Sequence, residues 1–175
     1  MVTAKRTDPI SAPFTILIDG REKAPYRFTG LNGNASQNHR PIIVATEWAH
    51  LKTGDYTIRG FESFVAVERK SLEDLFSTLG QHRDRFEEEH KRLAEFQVKA
   101  VVIEADRDDV VLFPPERSKL NPKSVKGTEE SWFVKYGVPW FYVGSRRSAE
   151  EWTFGVLEKA WRRFTEECRN DSSER

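Results

Sequence analysis

The run Phe14-Thr15-Ile16-Leu17-Ile18 is almost wholly apolar or β-branched. It predicts a strand buried on both faces, central in its sheet and ending at Asp19. The polar stretch 1–13 before it, with Pro9 and Pro13, predicts a flexible arm. Residues 30–40 are rich in Gly and Asn and predict a loop of little ordering power. A second strand is expected over 41–45. Asp55-Tyr56-Thr57-Ile58-Arg59 and Phe64-Val65-Ala66-Val67-Glu68 flank Gly60-Phe61-Glu62, the pattern of a β-hairpin. Trp48 and Leu51 are expected to pack beneath that hairpin.

The period then changes. Leu72, Leu75, Phe76 and Leu79 form a helical stripe. Ser71 is the expected N-cap, Asp74 stands three residues on as in a capping box, and Gly80 is the expected stop. A longer, highly charged helix is expected over 82–97, with Phe86, Leu93 and Phe96 on its core side and His82, His90 and Glu87-Glu88-Glu89 in solvent. A strand over 98–105 is followed by a loop, 106–115, with room for one helical turn. Pro122 and Gly137 bracket a helix over 121–136. A strand over 138–143 comes next, then a helix capped by Ser148 that runs to about Cys168, with Trp152, Val156, Leu157, Trp161 and Phe164 inward. Strands first, then helix and strand in alternation, predict an α/β fold: a mixed central sheet flanked by helices. One domain is expected over 14–168, with a flexible tail over 169–175.

The 175 residues suffice for one domain with a sizeable core. With 38% hydrophobic and 32% charged residues the chain reads as globular rather than disordered. No apolar run approaches a membrane span, and the N-terminal stretch lacks the apolar core of a signal peptide. The single cysteine, Cys168, excludes an intrachain disulfide and a cysteine-based zinc cluster. An intracellular setting is the resulting expectation. Lysine plus arginine and aspartate plus glutamate number 28 each, so any contact with nucleic acid has to come from a local patch. Arg117, Lys119, Lys123 and Lys126 fall in one acid-free stretch at the start of a helix, which favours anions; a solvated loop is the plainer reading.

Candidate chemistry gathers on the hairpin. Pairing the start of one strand with the end of its partner brings Asp55 beside Glu68, with Lys70 one same-face step beyond. Carboxylate oxygens suit Mg²⁺ or Mn²⁺. Such an ion polarises a phosphate, while Lys70 holds or deprotonates the attacking water. The plainer alternative is a solvated cross-strand salt bridge. Asp19 is placed as a strand-end ligand or as an Asx-turn residue before Gly20. The planar fork of Arg21 suits a phosphate, or it pairs with Glu22 or Glu68. Arg69 points away from Glu68 and Lys70, which leaves its carbonyl on the ion-facing side.

Ile18-Asp19-Gly20-Arg21-Glu22, then Gly54-Asp55-Tyr56, then Glu68-Arg69-Lys70-Ser71 with Asp74 stand in that order. In this the chain resembles the nuclease domain of XPF-type structure-specific endonucleases, a branch of the PD-(D/E)XK superfamily. The resemblance covers roughly 14–96. It implies a restriction-endonuclease-like fold and a metal-dependent DNA endonuclease acting on branched or structured DNA in repair or recombination. Its implied site is Asp19, Arg21, Glu22, Asp55, Glu68, Arg69, Lys70 and Asp74, with Asp19, Asp55 and Glu68 as ligands of Mg²⁺ or Mn²⁺. A basic residue near Arg83 and Arg85 is implied to touch DNA. Larger members carry tandem helix-hairpin-helix modules, which have no place in these 175 residues. A homodimer or a separate DNA-binding partner is the expected source of substrate preference. The family also contains inactive partner domains, so a non-catalytic DNA-binding or scaffolding subunit is the alternative; an RNA-directed or single-strand nuclease is a third.

Overall fold

The computed structural model describes residues 8–173, and side chains as far as 170. Strands β1 (Ile10–Asp19), β2 (Leu31–Asn32), β3 (Pro41–Ala49), β4 (Tyr56–Ile58), β5 (Val65–Lys70), β6 (Val98–Ile103) and β7 (Trp140–Tyr142) form one seven-stranded sheet in the order β2-β3-β1-β4-β5-β6-β7. β1 pairs with β3 in parallel and with β4 antiparallel; β5, β6 and β7 run parallel to one another. The expected mixed sheet flanked by helices is therefore the observed architecture. The helices are α1 (Leu72–Gln81), α2 (Arg83–Leu93), α3 (Asp109–Leu112), α4 (Pro122–Tyr136) and α5 (Arg146–Ser173).

The sheet divides the core in two. Ile16, Ile18, Tyr56, Ile58, Val65 and Val67 pack against Phe154, Leu157 and Phe164 of α5. Ala66, Val101 and Ile103 on the other face pack against Leu75, Phe76, Phe86, Leu93, Val125 and Trp132 of α1, α2 and α4. Alternation along β5 assigns its last three residues: Glu68 and Lys70 continue the α1–α2 face and Arg69 the α5 face.

Local chemistry accounts for the boundaries. The Ser71 side chain accepts from the Asp74 N–H, Asn121 caps α4 with Pro122 at its first turn, and Gly137 closes it at φ 63°. Elsewhere the fold departs from the sequence expectations. Of the expected arm, residues 1–7 lie outside the described residues, and β1 begins at Ile10. β1 runs through Pro13 by slipping register between Ser11 and Thr15, where the missing N–H breaks the ladder with β3. The 30–40 loop holds β2 and a 3-10 turn, Ala35–Gln37, closed by a reciprocal Asn34–Gln37 capping box. α5 starts two residues before Ser148, with the Ser145 hydroxyl accepting from the Ser148 N–H. Trp48 is 63% exposed rather than packed beneath the hairpin, although Leu51 is buried. β2 covers only the first two residues of β3, which leaves the Trp48 end of β3 at the edge of the sheet.

Candidate active site

β4 and β5 share a single registered pair, Tyr56↔Val67. Toward Asp55 one more backbone bond follows, and then a side chain takes over. The Asp55 carboxylate accepts from the Arg69 N–H at 2.7 Å, while the Asp55 N–H donates to the Val67 carbonyl at 2.9 Å. Gly54 makes this approach possible. Its φ is 76°, and a Cβ there would meet the Val67 oxygen at 3.2 Å.

The opening between the strands leads into a cavity of about 650 Å³ lined by Asp19, Arg21, Glu22, Asp55, Glu68, Lys70, Asp74, Arg85 and Glu89 among others. Asp55 and Glu68 thus face one space, as the hairpin reading required. The Lys70 ammonium is bonded to Glu68 and sits 4.9 Å from the Phe86 ring centre. Burial pushes the Asp55 carboxyl well above its ordinary value, and the neighbouring Glu68 charge adds to the rise. Burial alone would pull Lys70 down, but Glu68, Glu89 and Asp55 outweigh it and leave the ammonium above the ordinary lysine value.

The other motif residues flank this cluster. Asp19 is buried; one carboxylate oxygen accepts from Arg21 Nε at 2.7 Å and the other from the Leu51 N–H at 3.3 Å. Arg21 therefore pairs with Asp19, not with Glu22 or Glu68, and its second arm binds the Leu51 carbonyl at 2.7 Å. The Glu22 carboxylate accepts from the Ala24 N–H at 2.6 Å and lies 3.5 Å from Arg69. Arg69 points away from Glu68 and Lys70, as expected, into a bidentate pair with Glu104 at 2.8 and 2.6 Å. Asp74 accepts from the Ser71 hydroxyl at 2.9 Å at the start of α1, 3.8 Å from Arg69.

The basic candidates divide. Arg85 lines the cavity. Arg83 turns instead onto α4, donating to Thr128 Oγ1 at 2.8 Å and lying 5.1 Å from the Trp132 ring centre. Arg117 and Lys119 border a separate groove on the far side of α1. Lys126 pairs with Glu130 at 3.7 Å, one helical turn on, and Lys123 is exposed.

Two residues of the charged helix overturn the expectation that they are solvated. His90 is fully buried: Trp140 Nε1–H donates to its Nε2 at 2.7 Å, so Nδ1 carries the proton and donates to the Phe86 carbonyl at 2.9 Å. Glu89 faces the cavity, where burial and the Glu68 charge push its carboxyl up to about 8. Only the three- and four-residue spacing from Phe86 and Leu93 hinted that this side of α2 turns inward.

No three acidic, histidine or cysteine side chains among the described residues stand grouped as a ready-made ion site. The donor chemistry nevertheless fits a hard divalent cation. Asp55, Glu68 and Glu89 offer oxygens alone, around one ammonium, and Asp55 and Glu89 are raised by burial and by the Glu68 charge.

The sequence matches the family described as ERCC4 domain over residues 18–156. Comparison with curated proteins finds no match. Among solved structures, XPF from Aeropyrum pernix superposes with a TM-score of 0.61 at 18% identity, covering 89% of this chain and 69% of that one. A second structure, XPF from Aeropyrum pernix in complex with DNA, superposes with a TM-score of 0.58 at 18% identity, covering 86% and 66%. At that identity the likeness is one of fold.

Proposed function

The chain belongs to the ERCC4 domain family, and on that premise we propose that it is a divalent-metal-dependent DNA endonuclease. Its substrate on this reading is branched or otherwise structured DNA in repair or recombination. The observation that carries the reading is the convergence of Asp55, Glu68 and Lys70 on one cavity at the parted end of the hairpin.

Asp55 and Glu68 would hold Mg²⁺ or Mn²⁺, with Asp19 or Glu22 adding a ligand; such an ion polarises a phosphate and acidifies bound water. The chain's own groups have separate tasks. Lys70, bonded to Glu68, orients or deprotonates the water. Asp19 accepts one hydrogen bond on each oxygen and keeps lone pairs for an ion, and an Arg21 that lets go of it is free to bind phosphate with its fork. Arg85 lies at the same cavity for a neighbouring phosphate.

The proposal includes a homodimer or a separate DNA-binding partner. The apolar side chains of Val111, Leu112, Phe113, Phe133 and Val134, exposed on α3, α4 and the residue after α3, would serve such a contact. A non-catalytic DNA-binding subunit is the second reading. It is favoured by the internal pairing of Asp19 with Arg21 and of Glu68 with Lys70.

Labelled branched duplexes incubated with Mg²⁺ or Mn²⁺ decide between them. Asp55→Ala and Lys70→Ala are each expected to abolish cleavage while circular dichroism and Tm show a folded protein. Undiminished cutting by either variant rejects the assigned roles. DNA binding without cleavage by the unaltered protein supports the scaffolding reading.

A further inference from the structure

The segment 21–30, which carries Arg21 and Glu22, contains neither helix nor strand. Its carbonyls therefore need partners from elsewhere. They find them in the first turn of α5. Arg146 Nη2 donates to the Ala24 and Pro25 carbonyls at 2.7 and 2.8 Å, and its Nη1 donates to Glu104 at 3.1 Å. Glu104 holds Arg69 with both oxygens, and Arg69 reaches Glu22 and Asp74. The Arg146 guanidinium also lies 5.1 Å from the Tyr26 ring centre. Tyr26 stacks on Tyr56 at 5.0 Å and 6°, and Tyr56 adjoins Asp55.

Arginine in the first turn of a helix opposes the helix dipole. Here the first turn holds Arg146 and Arg147 and no acidic residue. A local rule broken in this way calls for a tertiary reason, and only Arg146 reaches the cavity's supports. Arg147 ends on the Thr29 and Gly30 carbonyls, farther along the segment.

We propose that Arg146 is a positioning residue of the cavity: it ties the Arg21–Glu22 segment, the Arg69 strand end and the Tyr26–Tyr56 stack to one guanidinium. It touches no reacting atom and acts through Glu104, through two carbonyls and through one ring. The catalytic part of this inference rests on the nuclease reading; the structural part does not.

Two measurements on the full chain test it. Amide hydrogen exchange is expected to rise about tenfold or more over 20–26 in Arg146→Ala and to stay unchanged in β6. Arg147→Ala is expected to speed exchange only near 29–31. In cleavage assays, Arg146→Ala is expected to lower kcat by about tenfold to a hundredfold with KM for DNA nearly unchanged, because misplaced groups cost chemistry rather than binding. Arg147→Ala is expected to leave kcat as it is. Arg146→Lys has one ammonium for three acceptors, so it should fall between the unaltered chain and Arg146→Ala; it also stands in if the alanine variant fails to fold. Unchanged exchange over 20–26 in Arg146→Ala, or in the lysine variant standing in for it, overturns the proposal. So does an equal loss of kcat in Arg147→Ala. Faster exchange in a chain whose unaltered form cuts no DNA leaves Arg146 as the tie and rejects the nuclease reading instead.

Discussion

Glu89 and His90 are neighbours on α2, yet burial moves them in opposite directions: Glu89 up to about 8, with the Glu68 charge helping, and His90 down to about 4. Burial opposes charge on either group, and the consequences for stability have opposite signs. The native state keeps a proton on Glu89 that the unfolded chain releases, so this contribution is present at low pH and is lost as pH rises through about 8. Glu89→Gln is therefore expected to raise Tm at pH 8, with the gain shrinking toward pH 5. His90 behaves inversely. Its stabilising neutral form is favoured above the unfolded value near 6.5 and is lost as pH falls toward about 4. Relative to His90→Gln, the unaltered chain is expected to lose about 2 kcal/mol between pH 7 and pH 5 in urea unfolding. A parallel pH dependence in the two proteins would mean that His90 is not held neutral by its Trp140 and Phe86 bonds.

Elements are held at their ends by groups whose removal has a calculable cost. Ser71→Ala deletes the cap of α1 and is expected to cost about 1 kcal/mol. The two glycines separate backbone strain from crowding. Gly137 has a φ of 63° with nothing near a new Cβ, so Gly137→Ala should cost about 1–2 kcal/mol of left-handed strain alone. Gly54, at φ 76°, adds contacts with the Val67 backbone and the Ala66 side chain, so Gly54→Ala should be distinctly worse. Equal costs in urea unfolding would show that the parted end of β4 and β5 accommodates a side chain freely. The caps were legible in the sequence because Ser-x-x-Asp and the Pro–Gly pair act within a few residues. The start of α5 was not, since Ser145 and Ser148 are equally good caps in isolation and the choice depends on where β7 ends.

For the whole molecule, zero net charge means that the DNA affinity the proposed function requires rests on local groups. On the proposed function, Arg117 and Lys119 at the groove on the far side of α1 and the exposed Lys123 hold duplex, while Lys126 is already paired along its own helix. Replacing those three by alanine is expected to reduce the slope of log K against log salt by about 2–3 and to leave kcat at saturating DNA unchanged. An unchanged slope would place the duplex elsewhere. The same scale decides where Arg83 rests: a basic residue at a helix start has open water beside it until α4 packs there and offers Thr128 and Trp132.

Periodicity, caps and the order of acidic motifs lie in the chain itself. They determined every strand but β2, most of the helices and the meeting of Asp55 with Glu68, because a strand's two-residue repeat and a short turn act over few residues. Folding in three dimensions decided which sides of charged helices are buried, and with that the places of Glu89, His90, Glu104 and Arg146. The physical reason is range. A carboxylate or guanidinium is at home in water unless an element far along the chain removes the water and offers a partner, and no local pattern records that encounter.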